Sequence, residues 1–513
     1  MAEWLDSAIF YQIYPQSFRD SNADGIGDFN GIREKLGYIR SIGCNAIWMN
    51  PCFESPFGDA GYDVSDYYRA APRYGTNEDL KRLIDDVHSM GMHIILDLVP
   101  GHTSLEHRWF KESAKQERNE FTDRYIWTDS VWVEPDGVAS IRGISDRDGS
   151  CAVNFFSHQP ALNYGFYRPD PAKKWQQPTD APGPRATLEA MKGVMRFWLG
   201  LGADGFRVDM AGSLVKNDKN GKGTVALWQE VRAFLDAEFP DAVLVSEWGE
   251  PDKSLLGGFH MDFLLHFGPS HYNDLFRCEE PFFSDRGRGD ASAFVKKYLD
   301  SYEKSGGKGL ICIPSGNHDM DRLSRSVCGD SLKIAFAFLL TMPGAPFIYY
   351  GDEIGMRYVD TPSVEGGYNR TGSRSPMQWD CSPNAGFSSA PKELLYIRQD
   401  DSPDRPTVEA QNSDESSLLN EIRRLIAVRQ AHKALGSRGG ISFIYAEKNA
   451  YTHVYERSDG DKRLLVILNP AGHETEFAYA QKPKYKVYGF GGEAYFTGGS
   501  VRVPAKFAGI YGI

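Results

Sequence analysis

No stretch of the ~18 consecutive apolar residues that a membrane-spanning helix needs occurs anywhere in the sequence. An excess of positive charge is also missing: 57 Lys and Arg stand against 69 Asp and Glu, a net charge of −12. Such a balance attracts neither phosphate nor anionic headgroups, which argues against nucleic acid and membrane as partners. The opening residues, Ala2-Glu3-Trp4-Leu5-Asp6, hold no basic stretch and no long apolar one, so no secretory leader is expected there. Cysteine is sparse and odd in number. The seven (Cys44, Cys52, Cys151, Cys278, Cys312, Cys328 and Cys381) are scattered and form no C-x-x-C pair. They read as free thiols in a reducing, cytoplasmic compartment, not as a disulfide frame or zinc site. Tandem repeats and low-complexity tracts are lacking too. What is present is ordinary globular composition, 41% hydrophobic and 25% charged over 513 residues. That length suggests about three domains. Aromatic residues, at 13%, suit a large core or stacking on flat apolar faces of a ligand.

Short apolar runs alternate with helix-period segments. The expected strands are Ile9–Tyr14, Ala46–Asn50, His93–Val99, Gly205–Met210, Val243–Trp248, Met261–Phe267, Leu310–Pro314 and Phe347–Tyr350. Between them, Ile32, Leu36, Ile39 and Ile42 mark one amphipathic helix. Leu80, Leu83, Ile84 and Val87 mark another, with Thr76 as its N-cap. Eight strands with crossovers predict an α/β fold, a (β/α)8 barrel, although the same alternation also fits a large doubly wound sheet. The barrel is assigned residues 1–103 and 186–435. The irregular stretch 104–185 is too long for a loop and is expected to be a small inserted domain after strand 3. After the helix Leu418–Leu435 the period falls to two, predicting an antiparallel β-sandwich over 436–513.

In such a barrel, acidic residues at the C-terminal ends of strands face a shared mouth. Here the ends read Asp97 with His102, Arg207-Val208-Asp209, Ser246-Glu247-Trp248 and Asn317-His318-Asp319. Two carboxyls flanking one bond are what acetal cleavage needs: an acid for the leaving oxygen and a carboxylate at the anomeric carbon. Arg207, two residues before Asp209 on a strand, faces the same side and can orient it.

These motifs, DLVPGH, GFRVD, SEW and GNHD, resemble in order the four signature regions of the alpha-amylase family of glycoside hydrolases. AIFYQIYPQSF, GYDVSDY, QPALNY and SPMQWD narrow the resemblance to its oligo-1,6-glucosidase and α-glucosidase branch. The resemblance implies Asp209 as nucleophile, Glu247 as acid/base and Asp319 as the carboxylate that stabilises the transition state. It implies His102 and His318 as ligands of the reacting glucose, with Arg207 supporting the nucleophile and Asp97 structural. Asp59 and Tyr62 match positions that grip the terminal glucose, and Arg374 matches the partner that pairs with that Asp and closes the cleft. The implied activity is that of a retaining, exo-acting α-glucosidase on a small oligosaccharide or disaccharide. Transglucosylases and isomerases of the glucosyltransferase, trehalose synthase or sucrose isomerase type use the same residues and stay as the alternative. A non-catalytic transporter ectodomain fits poorly, because all three carboxylates are present. The sequence departs from the family pattern at Gly101, where many amylases have Asn, at Ala161, where they often have Asp, and at Met210, where glucosidases usually carry Val or Ala. The first two losses argue against a calcium site between barrel and insert. Met210 leaves linkage preference open, and the oligomeric state is open as well.

A second motif runs from Asp20 to Asp28. Oxygens of Asp20, Asn22, Asp24 and Asp28, with the carbonyl of Ile26 and a glycine at the sixth position, follow the spacing of an EF-hand-like calcium loop. The twelfth position is Gly31 rather than Glu, so the loop is not a true EF-hand. A structural Ca2+ is expected there, with Mg2+ possible, and relatives in the same branch bind calcium at this loop.

Overall fold

The computed structural model describes residues 2–135, 137–362, 364, 371–448 and 450–513. Eight short strands build its centre: β1 (Phe10–Ile13), β2 (Ala46–Met49), β3 (His93–Leu98), β4 (Gly205–Val208), β5 (Val243–Ser246), β6 (Met261–Phe263), β7 (Leu310–Cys312) and β8 (Phe347–Tyr349). They form one parallel sheet in which each strand lies beside its sequence neighbour, β8 joining the far side of β1. A parallel bridge between Pro314 and Phe347, with Ser315 N donating to Phe347 O at 2.9 Å, brings the β7 and β8 edges together. The sheet is therefore a barrel, and the doubly wound alternative is excluded. Its strands are buried on both faces, which explains their continuous apolar runs.

The crossover helices start where polar caps dictate. Asp28 caps Phe29–Ile42 by accepting from Gly31 N, and the helix buries Ile32, Leu36, Ile39 and Ile42. Thr76 and Asp79 form a capping box on Asn77–Ser89, whose buried face is Leu80, Leu83, Ile84 and Val87.

The insert follows β3. It contains the short helix Arg108–Ser113, a hairpin of Ser140–Ile141 with Cys151–Ala152, and a small core including Ile126, Ala161, Phe166 and Trp175. It is stitched to the barrel end of β3, where Leu162 N donates to Gly101 O at 3.0 Å and Tyr164 Oη to Pro100 O at 2.9 Å. The next barrel helix spans Pro182–Gly200, so its first turn precedes the expected boundary at 185. Pro182 and Pro184 fit this first turn, because proline lacks only an N–H that the turn leaves unbonded anyway.

At the C-terminus, one antiparallel sheet takes Gly440–Tyr445, His453–Asp459, Lys462–Asn469, Phe507–Gly512 and Tyr485–Phe490 in that spatial order. A second takes Thr475–Ala478, Ser500–Val503 and Tyr495–Phe496, and Val454, Ile467, Phe477 and Val501 pack into one cluster. The period-two pattern predicts strands at Ile441–Ala446, Tyr451–Arg457, Leu464–Leu468, Glu474–Tyr479 and Lys484–Phe490; the last three strands of the chain lie beyond them. Phe507–Gly512 sits mid-sheet with every residue buried, so its text, FAGIYG, never alternates.

Candidate active site

The strand ends place the candidate residues at one mouth. In the β3–β4 pairing Asp97 lies opposite Arg207. The ladder runs one residue past each strand: Asp209 N donates to Leu98 O at 2.9 Å and Glu247 N to Val208 O at 3.0 Å. Arg207 is buried and forked. Its Nη1 lies 2.8 Å from Asp97 Oδ1 and 3.2 Å from Asp209 Oδ1, and its Nη2 lies 2.7 Å from Glu247 Oε1. One planar guanidinium thus fixes three carboxylates that would otherwise repel one another. Met210 is left-handed (φ 44°), a costly conformation for a side chain of its size. The turn aims its N–H at Glu247 Oε2, 3.1 Å away.

Burial raises Asp209 well above the ordinary carboxylate range, the Glu247 charge and a hydrogen bond between the two carboxyls raise it further, and Arg207 opposes them. Asp97 is pushed up to about 6 by burial, against the pull of Arg207. It also accepts from Trp48 Nε1 at 3.1 Å, Tyr62 Oη at 3.2 Å and Asn50 Nδ2 at 3.3 Å, the setting of a buried structural anion.

Asp319 lies in the loop after β7. Asn317 Oδ1 accepts from its N–H at 2.9 Å, and Arg374 Nη2 lies 3.0 Å from its Oδ1. Arg374 Nε also donates to His318 O at 2.8 Å. The motif reading pairs Arg374 with Asp59; the Asp319 contact is a partner of Arg374 that the motif reading did not name. Asp59 Oδ2 accepts from Gln159 Nε2 of the insert at 2.8 Å. His318 is buried under the Tyr62 ring, 5.2 Å between centroids and 8° from parallel, so one face of the expected sugar platform is already stacked. Asn50 and Gln12 amides lie 3.1 and 3.2 Å from His318 Nδ1, and Tyr62 Oη lies 2.6 Å from Nε2. Sequence reasoning missed Asn50, Gln12 and Gln159. Asn50 follows β2 directly, where the strand-end rule applies as it does to the acids, and Gln12 is a polar residue inside a fully buried strand.

A cavity of 740 Å3 opens over these groups. Asp59, Tyr62, His102, Asp209, Glu247 and Asp319 all line it, as do Trp248 of the SEW motif and Phe155 and Phe267, which the motifs did not single out. His102 is neutral, because burial pushes it down to about 3.

The Asp20–Asp28 loop stands apart from this cavity. Asp20 Oδ2 accepts from Gly25 N at 2.8 Å, Asn22 Oδ1 from Asp24 N at 3.0 Å, and Asp24 Oδ1 from Ile26 N at 2.9 Å. Asp28 Oδ1 accepts from Gly31 N at 2.7 Å. The donor set is all oxygen, which suits a hard cation. Among the described residues, no group of three or more His, Cys, Asp or Glu side chains is arranged to hold a metal ion.

A barrel whose strand ends bring two carboxyls held by one arginine, and a third, onto one cavity defines a glycoside-processing enzyme. The alpha-amylase catalytic domain profile matches residues 12–438, and the chain belongs to that family. The trehalose synthase/amylase of Mycobacterium tuberculosis is 32% identical, covering 90% of this chain and 81% of its own. An oligo-1,6-glucosidase of Parageobacillus thermoglucosidasius is 30% identical, covering 91% and 90%. Among solved structures, the trehalulose synthase MutB from Pseudomonas mesoacidophila superposes with a TM-score of 0.82 at 26% identity, each chain covered completely. No helix among the described residues is long and apolar enough to cross a membrane.

Proposed function

We propose that the protein is a retaining, exo-acting α-glucosidase that releases α-glucose from the non-reducing end of short α-glucosides. The observation that carries this reading is the Arg207 fork, which holds Asp209 and Glu247 side by side on one cavity. Two carboxyls bonded to the two terminal nitrogens of one guanidinium suit a nucleophile and an acid/base, which stand ~5–5.5 Å apart; an inverting pair needs a separation of ~6.5–9.5 Å to admit water between them. Asp209 attacks the anomeric carbon while Glu247 protonates the departing oxygen, which leaves a glucosyl ester on Asp209. Glu247 then takes a proton from water, and the resulting hydroxide opens the ester with a second inversion, so the α-configuration is kept. Asp319, held by Arg374, steadies the charge that develops on the ring. Asp59, Tyr62, His102 and His318 bind the terminal glucose.

A second reading is glucosyl transfer or isomerisation, in which a sugar hydroxyl replaces water. It is favoured by the cavity's size, which suits a ligand larger than one sugar, and by Phe155 and Phe267 (46% and 37% exposed) as stacking faces for a retained leaving group. Trehalose and trehalulose synthases among the relatives favour it as well. The experiment is a panel of maltose, isomaltose, trehalose, sucrose, kojibiose and nigerose with products separated. Free α-glucose is expected; isomerised disaccharides or longer products would move the assignment to transfer. Rapid mid-chain cutting of an end-blocked maltoheptaoside would overturn exo action.

Two further readings belong to this proposal. Ca2+, or Mg2+ in its place, would be held by Asp20, Asn22, Asp24, the Ile26 carbonyl and Asp28, as a structural ion. A cytoplasmic location rests on the seven free thiols.

A further inference from the structure

Two of the departures from the family pattern, Gly101 and Met210, meet at one side chain of the insert. Asn154 Nδ2 lies 3.1 Å from His102 Nδ1 and 3.7 Å from Met210 Sδ, and its Oδ1 lies 3.5 Å from Lys216 Nζ. A Cβ added to Gly101 would sit 2.5 Å from that same Nδ2. We propose that Asn154 and Lys216 are positioning residues that hold His102 as the neutral tautomer protonated on Nε2, the form that donates to a sugar hydroxyl in the cavity. The proposal rests on the reading of His102 as a glucose-binding group.

An amide can face either way, and its neighbours decide. The Lys216 ammonium only donates, so the end of Asn154 beside it must be the oxygen. Lys216 is itself held by Ser213 O at 2.6 Å and cannot turn away freely. The NH2 group therefore faces His102, and it can donate only to an unprotonated Nδ1. Its second N–H points at the Met210 sulfur, a weak acceptor. At the other edge of the ring, Nε2 lies 3.2 Å from the Tyr62 carbonyl, which only accepts, so Nε2 carries the hydrogen. Both edges select one tautomer independently. Burial also removes the doubly protonated form at neutral pH. Gly101 belongs to the same device: a side chain there, such as the Asn that many amylases carry, would push the Asn154 amide from its place. The bond from Nε2 to the Tyr62 carbonyl is long enough to be shared, so a sugar hydroxyl entering the cavity can accept the same hydrogen.

Asn154→Asp is close to isosteric but replaces the donor by an acceptor, while Lys216→Met removes the cation and keeps the stem. Long-range 1H–15N spectra of histidine-labelled protein read the tautomer without substrate, with the His102 signals assigned by their loss in His102→Gln. The parent should show the Nε2–H pattern. Asn154→Asp should draw a proton onto Nδ1, and Lys216→Met should give a mixture that Lys216→Arg restores to the parent pattern. With folding unchanged, kcat/KM on p-nitrophenyl α-glucoside should fall about 10- to 100-fold in Asn154→Asp. A His102 that keeps the parent pattern in both variants overturns the proposal, as does a displaced proton with undiminished kcat/KM. If Asn154→Asp fails to fold, Lys216→Met against Lys216→Arg decides by the same two readouts. Because the spectra need no substrate, a parent enzyme inert toward every glucoside would sink the functional reading and leave the tautomer test standing.

Discussion

Replacing Arg207 by lysine tests whether the fork, and not merely a positive charge, organises the site. The guanidinium makes three contacts at 2.7 to 3.2 Å, two through Nη1 and one through Nη2. A single ammonium on a shorter reach can serve one side of that arrangement. Lysine should settle on Asp97, which leaves Asp209 and Glu247 without their shared partner. Breaking a buried ion pair costs about 3–5 kcal/mol. If that loss falls mainly on the transition state, kcat/KM for p-nitrophenyl α-glucoside should drop roughly a hundred- to several-thousand-fold. The pH profile adds a signed test. Burial and Glu247 already raise Asp209, and Arg207 is the group that opposes them. Weakening that opposition raises Asp209 further, and the nucleophile acts only when ionised. The acidic limb of kcat/KM should therefore move to higher pH in Arg207→Lys, and part of the lost rate should return as the pH is raised. Activity within threefold of the parent, or an acidic limb displaced to lower pH, would refute the reasoning.

Asp209→Asn should abolish turnover while substrate binding stays measurable by calorimetry, since only the covalent step is lost; retention of most activity would mean another nucleophile. Glu353, remote from the cavity and bonded by Tyr11 and Tyr38, gives a stability prediction. Burial raises it from 4.5 to about 7, so its contribution to stability is fully present below about 4.5 and is lost as the pH rises to about 7. Glu353→Gln should remove that slope and raise the melting temperature at pH 8 by the equivalent of up to ~3 kcal/mol; thermal scans with an unchanged pH slope would contradict it. Chelation with EDTA should lower the melting temperature through the Asp20–Asp28 loop with little direct effect on the chemistry. Metal analysis showing neither Ca2+ nor Mg2+, with a chelator-insensitive melt, would leave the loop as a turn held by its own backbone bonds.

The eight barrel strands and the acids at their ends were legible in the sequence, because strands buried on both faces are written as apolar runs and their ends as abrupt polarity. The cap Thr76 and the apolar face behind it were legible for the same reason: both are local patterns. Closure of the barrel was not, since it depends on the approach of Pro314 to Phe347, which no period records. Phe507–Gly512 was hidden because a strand in the middle of a sheet, covered on both sides, loses the alternation that announces strands. The partners of the charged groups belong wholly to the tertiary structure. Arg374 stands directly before a recognisable motif, yet its guanidinium rests on Asp319, 55 positions earlier, and Arg207 rests on Asp97, 110 positions earlier. Gly101 was visible as a departure, but its reason is an amide 53 residues on that needs the space a side chain would fill. Sequence pattern fixes which residues must be buried, because burial acts on each segment alone. Which charge meets which is decided only when distant segments are brought to the same strand end.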